Sequence, residues 1–239
     1  MRLDRFLSNL PQGSRKQARL WLAAKKVRVN GQVVTDTEHP ISAFSTIQLD
    51  DTVLQQRQPR YFMLNKPVGY LSATEDRLHP TVMELLDEPD KQLLHIAGRL
   101  DRNSTGLLLI TDDGRWSRLL TDPSNTSGGQ KVAKRYRVDT RDPIRPDTAK
   151  RFIEGIYFDY EQITTRPVEL EQTGERQVLL TLFEGRYHQI KRMFGRFRNP
   201  VLALHRLQIG EIRLDPSLQL GQYRPLNQIE IDSIVKPLR

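Results

Sequence analysis

HIAGRLDRNSTGLLLITDDG, residues 95–114, sets a polar loop between two apolar segments, and the reading of those segments decides the fold. Leu107 to Thr111 is strand-like in length and apolar without alternation, as a strand buried on both faces should be. LLHIAG, just before the loop, reads as a second strand. Asp101 follows Gly98-Arg99-Leu100 in the connection between them. A loop aspartate commonly accepts hydrogen bonds from nearby backbone N–H groups. At the mouth of an apolar sheet it can also serve as nucleophile or base, provided a cation keeps it ionised. The pattern alone leaves both roles open.

Working outward, the chain from Tyr61 onward repeats the same texture of short apolar segments separated by turn signals. YFMLNKPVGYL, LLHIAG, GLLLITDDG, KRYRVDT, RQVLLTLFEG and VLALHRLQIGEIRL read as strands, with helices expected at TVMELLDE, GRWSRLLTD, PDTAKRFIEG and HQIKRMFGRF. This order predicts an α+β domain with a mixed, largely antiparallel β-sheet flanked by helices. PSNTSGGQK, residues 123–131, is polar and glycine-rich and is expected to be a mobile surface loop. Upstream, Ser14 can cap a helix through SRKQARLWLAAKK, and Val27 and Val29 alternate before Asn30-Gly31, a dipeptide suited to a type I′ hairpin turn. QQRQPR, residues 55–60, has neither periodicity nor apolar content. Two domains are therefore expected, 1–54 and 61–239, with 55–60 as the linker.

Composition narrows the function. The 239 residues carry 37 Lys and Arg against 29 Asp and Glu, a formal charge of +8. Eight of the basic residues and a single acid fall within residues 1–30, and the helix after Ser14 turns Arg15, Lys16 and Arg19 away from its apolar stripe. A polyanion is the natural partner of such a face. No run approaches the ~18 apolar residues of a membrane span, and the start of the chain is charged where a signal peptide is apolar. The absence of cysteine removes thiol chemistry and fits a reducing compartment. A soluble cytoplasmic protein with no membrane partner is expected.

The five histidines show no HxxxH or HExxH spacing, and no GxSxG, Walker or dinucleotide glycine motif appears. Carboxylates, amines and aromatics must then carry any chemistry. In EGRYHQIKRMFGRF, Ile190, Met193, Phe194 and Phe197 form one apolar helical stripe. Lys191 sits on its flank and can reach inward, whereas Arg192 is expected to face solvent or phosphate. Tyr136, within the alternating KRYRV, suits either sheet packing or stacking on a base.

GRLDRNSTGLLLITDDG resembles the catalytic motif of pseudouridine synthases of the RsuA/RluA superfamily. RYFMLNKPVGYLSAT, KRYRV, EGRYHQIKRMF and GQYRPL resemble further blocks of the RsuA branch in the same order, and the first 50 or so residues resemble the S4 RNA-binding module that precedes them. The resemblance implies that Asp101 is the essential catalytic aspartate, Tyr136 the tyrosine stacked on the target base, and Lys191 the basic partner of the aspartate. It further implies that Arg99 displaces or holds a flipped nucleotide; Arg192 and the basic face of Arg15, Lys16 and Arg19, placed by helix geometry and charge, are expected to contact the RNA. The stretch before Tyr136 is longer than its counterpart in the branch and carries Arg135 where threonine is usual. The implied activity is isomerisation of one uridine of ribosomal RNA, uridine 516 of 16S rRNA, by a monomer that needs no cofactor. A large-subunit synthase of the same branch and a non-catalytic RNA-binding assembly protein are the alternatives.

Overall fold

The computed structural model describes residues 1–121 and 132–235, so the stretch expected to form the loop 123–131 lies outside the described residues. The chain divides into two compact units, Met1–Pro59 and Arg60–Arg239.

In the first unit, α1 (Leu3–Ser8) and α2 (Arg15–Ala23) accompany a four-stranded antiparallel sheet of β1 (Val27–Val29), β2 (Gln32–Val33), β3 (Ile47–Leu49) and β4 (Thr52–Gln55), ordered β2-β1-β3-β4. Ser14 Oγ caps α2 by accepting from the Gln17 amide at 3.0 Å, satisfying a donor the helix leaves free. The helix stops at Ala23 rather than Lys26 because Lys25 adopts a left-handed φ of 57°, which turns the chain so that Val27 and Val29 enter the core. Asn30 and Gly31, at φ 51° and 83°, then close the β1–β2 hairpin as that dipeptide allows. Leu3, Leu7, Ala18, Leu22, Val27 and Ile47 make the core, and Arg15, Lys16 and Arg19 are exposed on the other side of α2.

In the second unit a nine-stranded sheet, counted among the described residues, contains β5 (Tyr61–Lys66), β6 (His95–Ile96), β7 (Thr105–Thr111), β8 (Lys134–Thr140), β11 (Glu169–Gly174), β12 (Gln177–Leu182), β13 (Val201–Ile209), β14 (Ile212–Arg213) and β15 (Tyr223–Pro225). Its order is β11-β12-β8-β13-β7-β5-β15, with β14 on β13 and β6 on β7. A small ribbon of β9 (Tyr157–Phe158) and β10 (Ile163–Thr164) lies apart from it. Among the described residues β13 and β7 form the sheet's one parallel strand pair; the others are antiparallel.

β7 is buried from Gly106 to Thr111, as its unbroken apolar run requires. One sheet face presents Leu64, Leu108, Tyr136, Val138 and Leu180 to α4 (Thr148–Glu154) and α5 (Gln189–Gly195), through Phe152, Met193 and Phe194. The opposite face presents Met63, Leu107, Leu109 and Ile209 to Trp116 and Leu120 of α3 (Gly114–Thr121) and to Ile231 and Ile234 of α6 (Gln228–Val235). Each fully buried leucine of these layers contributes roughly 1.5–3 kcal/mol.

Two expectations change. TVMELLDE forms a single 3-10 turn, Val82–Leu85, with Thr81 and Glu84 in a capping box; Leu86 is extended and Pro89 follows, so no longer helix can propagate. The α6 helix and the edge strand β11 were not expected, because α6 is built from β-branched Ile and Val, and β11 is a largely exposed edge strand without apolar alternation. Among the described residues no helix is long and apolar enough to cross a membrane.

Candidate active site

The loop from Gly98 to Ser104 is held by buried side chains that bond to its backbone. Arg206, 1% exposed on β13, donates from Nε to Leu107 O (2.7 Å), from Nη1 to Arg99 O (3.2 Å) and from Nη2 to Gly98 O (3.1 Å). Lys66, fully buried at the end of β5, donates to the carbonyls of Pro67 (3.0 Å), Arg102 (3.2 Å) and Ser104 (2.9 Å). Ser72 Oγ both donates to Leu100 O and accepts from Leu100 N, at 2.7 and 3.1 Å. Burial pushes the Lys66 ammonium down to about 8; the Asp101 carboxylate opposes that shift and Arg206 adds to it. Six carbonyls thus find charged donors, and the backbone on either side of Asp101 is fixed.

Asp101 itself points its carboxylate elsewhere. Its main-chain carbonyl accepts from the Ser104 amide at 3.0 Å, but among the described residues the carboxylate accepts no backbone hydrogen bond, so the turn-capping role that a loop aspartate's side chain usually has is absent. Its Oδ2 lies 3.4 Å from Lys191 Nζ and 3.3 Å from His188 Nε2, and its side chain keeps 31% of its surface exposed. Both partners come from the start of α5. Ile190, Met193 and Phe194 bury the apolar stripe of that helix, which leaves Lys191 on the flank facing the loop. Glu184, buried, orders the approach to the helix: it accepts from Gln189 Nε2 (2.8 Å), the Arg166 amide (3.0 Å) and Arg186 Nε (3.1 Å).

Strand register aligns the remaining groups. Lys66 pairs with Gly106, Gly106 with Arg206, Arg206 with Tyr136, and Tyr136 with Leu180. Directly paired residues share a sheet face, so the two cations and the Tyr136 ring occupy one row on the α5 side of the sheet. Tyr136 is 9% exposed and packs in the core on that face.

The other sequence-derived candidates are dispersed. Arg99 is exposed beside Asp101, and its carbonyl accepts from Arg206. Arg192 does not face open solvent: it forms a bidentate pair with Glu161 (2.6 and 2.5 Å) and lies 3.7 Å over the Phe158 ring, because the β9–β10 ribbon covers that flank of α5. Arg135 pairs with Glu171 at 2.7 Å. Arg15, Lys16 and Arg19 stand exposed on α2 in the first unit.

Sequence reasoning missed His188, Lys66, Ser72 and Arg206. For the two buried cations a signal existed. Phe62, Leu64 and Lys66 share one side of β5, and Leu204 and Arg206 one side of β13, so each charge falls where alternation expects an apolar residue.

Residues 60–195 match the family model for RNA pseudouridylate synthase, and residues 1–47 match that of the S4 domain. A ribosomal small subunit pseudouridine synthase A of Pseudomonas aeruginosa is 51% identical over 235 residues, which span 98% of this chain and 100% of that protein. The protein of the same name from Escherichia coli strain K12 is 44% identical over 236 residues, 98% of this chain and 100% of its own length. A crystal structure of a pseudouridylate synthase is similar with a TM-score of 0.70 at 40% identity, covering 98% of this chain and 99% of that one. An aspartate on a clamped loop at the start of a buried strand, in a chain so matched along its length, identifies this protein as an S4-domain member of the RNA pseudouridylate synthase family of isomerases.

Proposed function

We propose that the protein converts a uridine of small-subunit ribosomal RNA to pseudouridine, that its target is uridine 516 of 16S rRNA, and that Asp101 starts the reaction. The observation that carries the catalytic assignment is the Asp101 carboxylate, which takes no local backbone bond and lies instead against Lys191 and His188. The names of the relatives support the small-subunit target.

The reaction breaks the N1–C1′ bond and joins C5 to C1′. The proton lost from C5 is balanced by one gained at N1, so neither oxidant nor energy source is consumed. Asp101 acts either by attacking C1′ or by removing the 2′ proton, and both routes require the anion. Lys191 beside it and Lys66 behind the loop place positive charge near the carboxylate. Tyr136, in the row next to Arg206, offers its ring to the turning base, and the surrounding apolar layer keeps water from the sugar. The uridine must leave its stack at a cost of a few kcal/mol, roughly what flipping requires in other base-modifying enzymes. Exposed Arg99 holds the displaced nucleotide, and Arg15, Lys16 and Arg19 contribute phosphate contacts from the S4 unit. Arg192 reaches a phosphate only by leaving Glu161. The protein acts as a cytoplasmic monomer in this reading.

Pseudouridine mapping of ribosomal RNA from a strain lacking the gene tests it. Loss of the modification at position 516 of the small-subunit RNA, restored by the wild-type gene and not by an Asp101→Asn allele, is the expected result. Loss at a large-subunit position would reassign the target. An unchanged map would remove the synthase reading for ribosomal RNA.

A further inference from the structure

We propose that His188 is a positioning residue for the isomerisation: with Lys191 it holds Oδ2 of Asp101, so that Oδ1 is the oxygen presented to the ribose. The inference rests on the reading of Asp101 as the reacting carboxylate.

The loop clamps described above fix the backbone of Asp101 but not the rotation of its carboxylate, whose last torsion is broad and nearly two-fold. Among the described residues the group makes no hydrogen bond, and it is partly exposed. A single lysine on a flexible four-carbon stem sets a distance to one oxygen and leaves the plane free. A second donor approaching the same oxygen from another direction removes that freedom. His188 Nε2 does so at 3.3 Å, with Lys191 Nζ at 3.4 Å. Neither approach has the alignment of a hydrogen bond in the free protein, which is the usual state of catalytic contacts before substrate closes them. The carboxylate selects the imidazole form that carries hydrogen on Nε2.

His188 is itself held to this task. Its backbone takes φ 48° and ψ 31° at the N-cap of α5, a left-handed conformation uncommon outside glycine, and its carbonyl accepts from the Arg192 amide at 3.0 Å. Its ring stacks on Tyr187 at 3.9 Å between centroids and 21° between planes. Tyr187 is 77% exposed, so this stack is the ring's support on the solvent side. A histidine that merely capped a helix would need neither the stack nor the approach to a carboxylate.

Single-turnover rates and RNA affinity, taken on small-subunit RNA with the full chain, test the proposal through His188→Ala, His188→Asn, His188→Gln and Asp101→Asn. Asparagine tolerates the left-handed backbone but ends its amide near the position of Nδ1; glutamine brings an amide nitrogen near that of Nε2. The expected result is a rate loss on the order of 10- to 100-fold for the alanine and asparagine variants, at an affinity within about three-fold of wild type. Glutamine should recover most of the loss. Full-rate turnover by the asparagine variant while Asp101→Asn is inactive would overturn the role of His188. A loss of affinity that parallels the loss of rate in all three His188 variants would also overturn it, making His188 an RNA contact. Activity of Asp101→Asn would instead overturn the reading beneath it. If the alanine variant does not fold, the asparagine–glutamine comparison decides alone.

Discussion

Arg206 stands opposite Gly106 in the parallel pairing of β13 with β7, and its guanidinium reaches back past that glycine to the carbonyls of Gly98, Arg99 and Leu107. One residue thus joins the two antiparallel halves of the sheet and holds the loop that carries Asp101. The approach is close enough that a Cβ on Gly106 would collide with the backbone oxygen and nitrogen of Arg206, and Gly106 has φ 101°.

Gly106→Ala should therefore destabilise the protein by about 2–4 kcal/mol, since strain and a backbone clash act together. Turnover should fall in the protein that remains folded, because the clash sits at the root of the Asp101 loop. Urea unfolding and single-turnover rates check both points. Wild-type stability in this variant would show that β13 is free to move away.

Lys66 should make stability depend on pH in the alkaline range. Its pKa is about 8 when folded and 10.5 ordinarily, so between these values the unfolded chain holds a proton that the folded protein has released. Unfolding then takes up a proton, and this group's contribution to stability rises with pH through that window by at most about 1.4 kcal/mol per unit. The difference in unfolding free energy between wild type and Lys66→Met should widen from about pH 7 to about pH 10. A constant difference would mean that the three carbonyls hold the ammonium charged throughout.

Tyr136 serves the core as well as the base. Tyr136→Phe should leave stability and RNA affinity near wild type while slowing turnover if the hydroxyl moves a proton. Tyr136→Ala opens a cavity among Val138 and Leu180 and should cost about 3–5 kcal/mol of stability. It should also lose stacking worth roughly 1–3 kcal/mol. Affinity for RNA containing 5-fluorouridine at the target, measured on folded protein, separates the two losses; equal affinity of the alanine variant and wild type would remove Tyr136 from the base site.

Removal of the first unit should leave the second folded if the cut respects Arg60. Its amide donates to Asp112 Oδ1 at 2.8 Å, and its guanidinium reaches Asp112 Oδ2 (3.2 Å) and the carbonyls of Pro89 (2.5 Å) and Asp90 (3.2 Å). A chain beginning at Pro59 should unfold cooperatively and bind RNA weakly. One beginning at Tyr61 should be less stable by about 1–3 kcal/mol, the cost of leaving those acceptors without their donor. Calorimetry on the two chains is the check, and equal stability would place Arg60 outside the folded unit.

Much of this protein is written in local pattern. The buried strand at 107–111, the Ser14 cap and the Asn30-Gly31 turn were readable because each depends on residues a few positions apart and on backbone preferences they carry with them. The stripe of Ile190, Met193 and Phe194 likewise placed Lys191 on the flank that meets Asp101. Asp101 could be nominated by position and by resemblance, but, Lys191 apart, its surroundings could not. His188 lies 87 residues from it in the chain, and Arg206 is 108 residues from the Gly98 carbonyl it binds. Arg192 was expected to face solvent or phosphate, yet a ribbon 31 to 34 residues earlier supplies Glu161 and Phe158 to engage it. These contacts depend on which strands become neighbours and in what register, and above all on backbone carbonyls, which every residue possesses and no side-chain pattern marks. The parallel seam of β7 and β13 decides the Arg206 clamp, because it brings a distant segment's buried cation against the loop that carries the carboxylate.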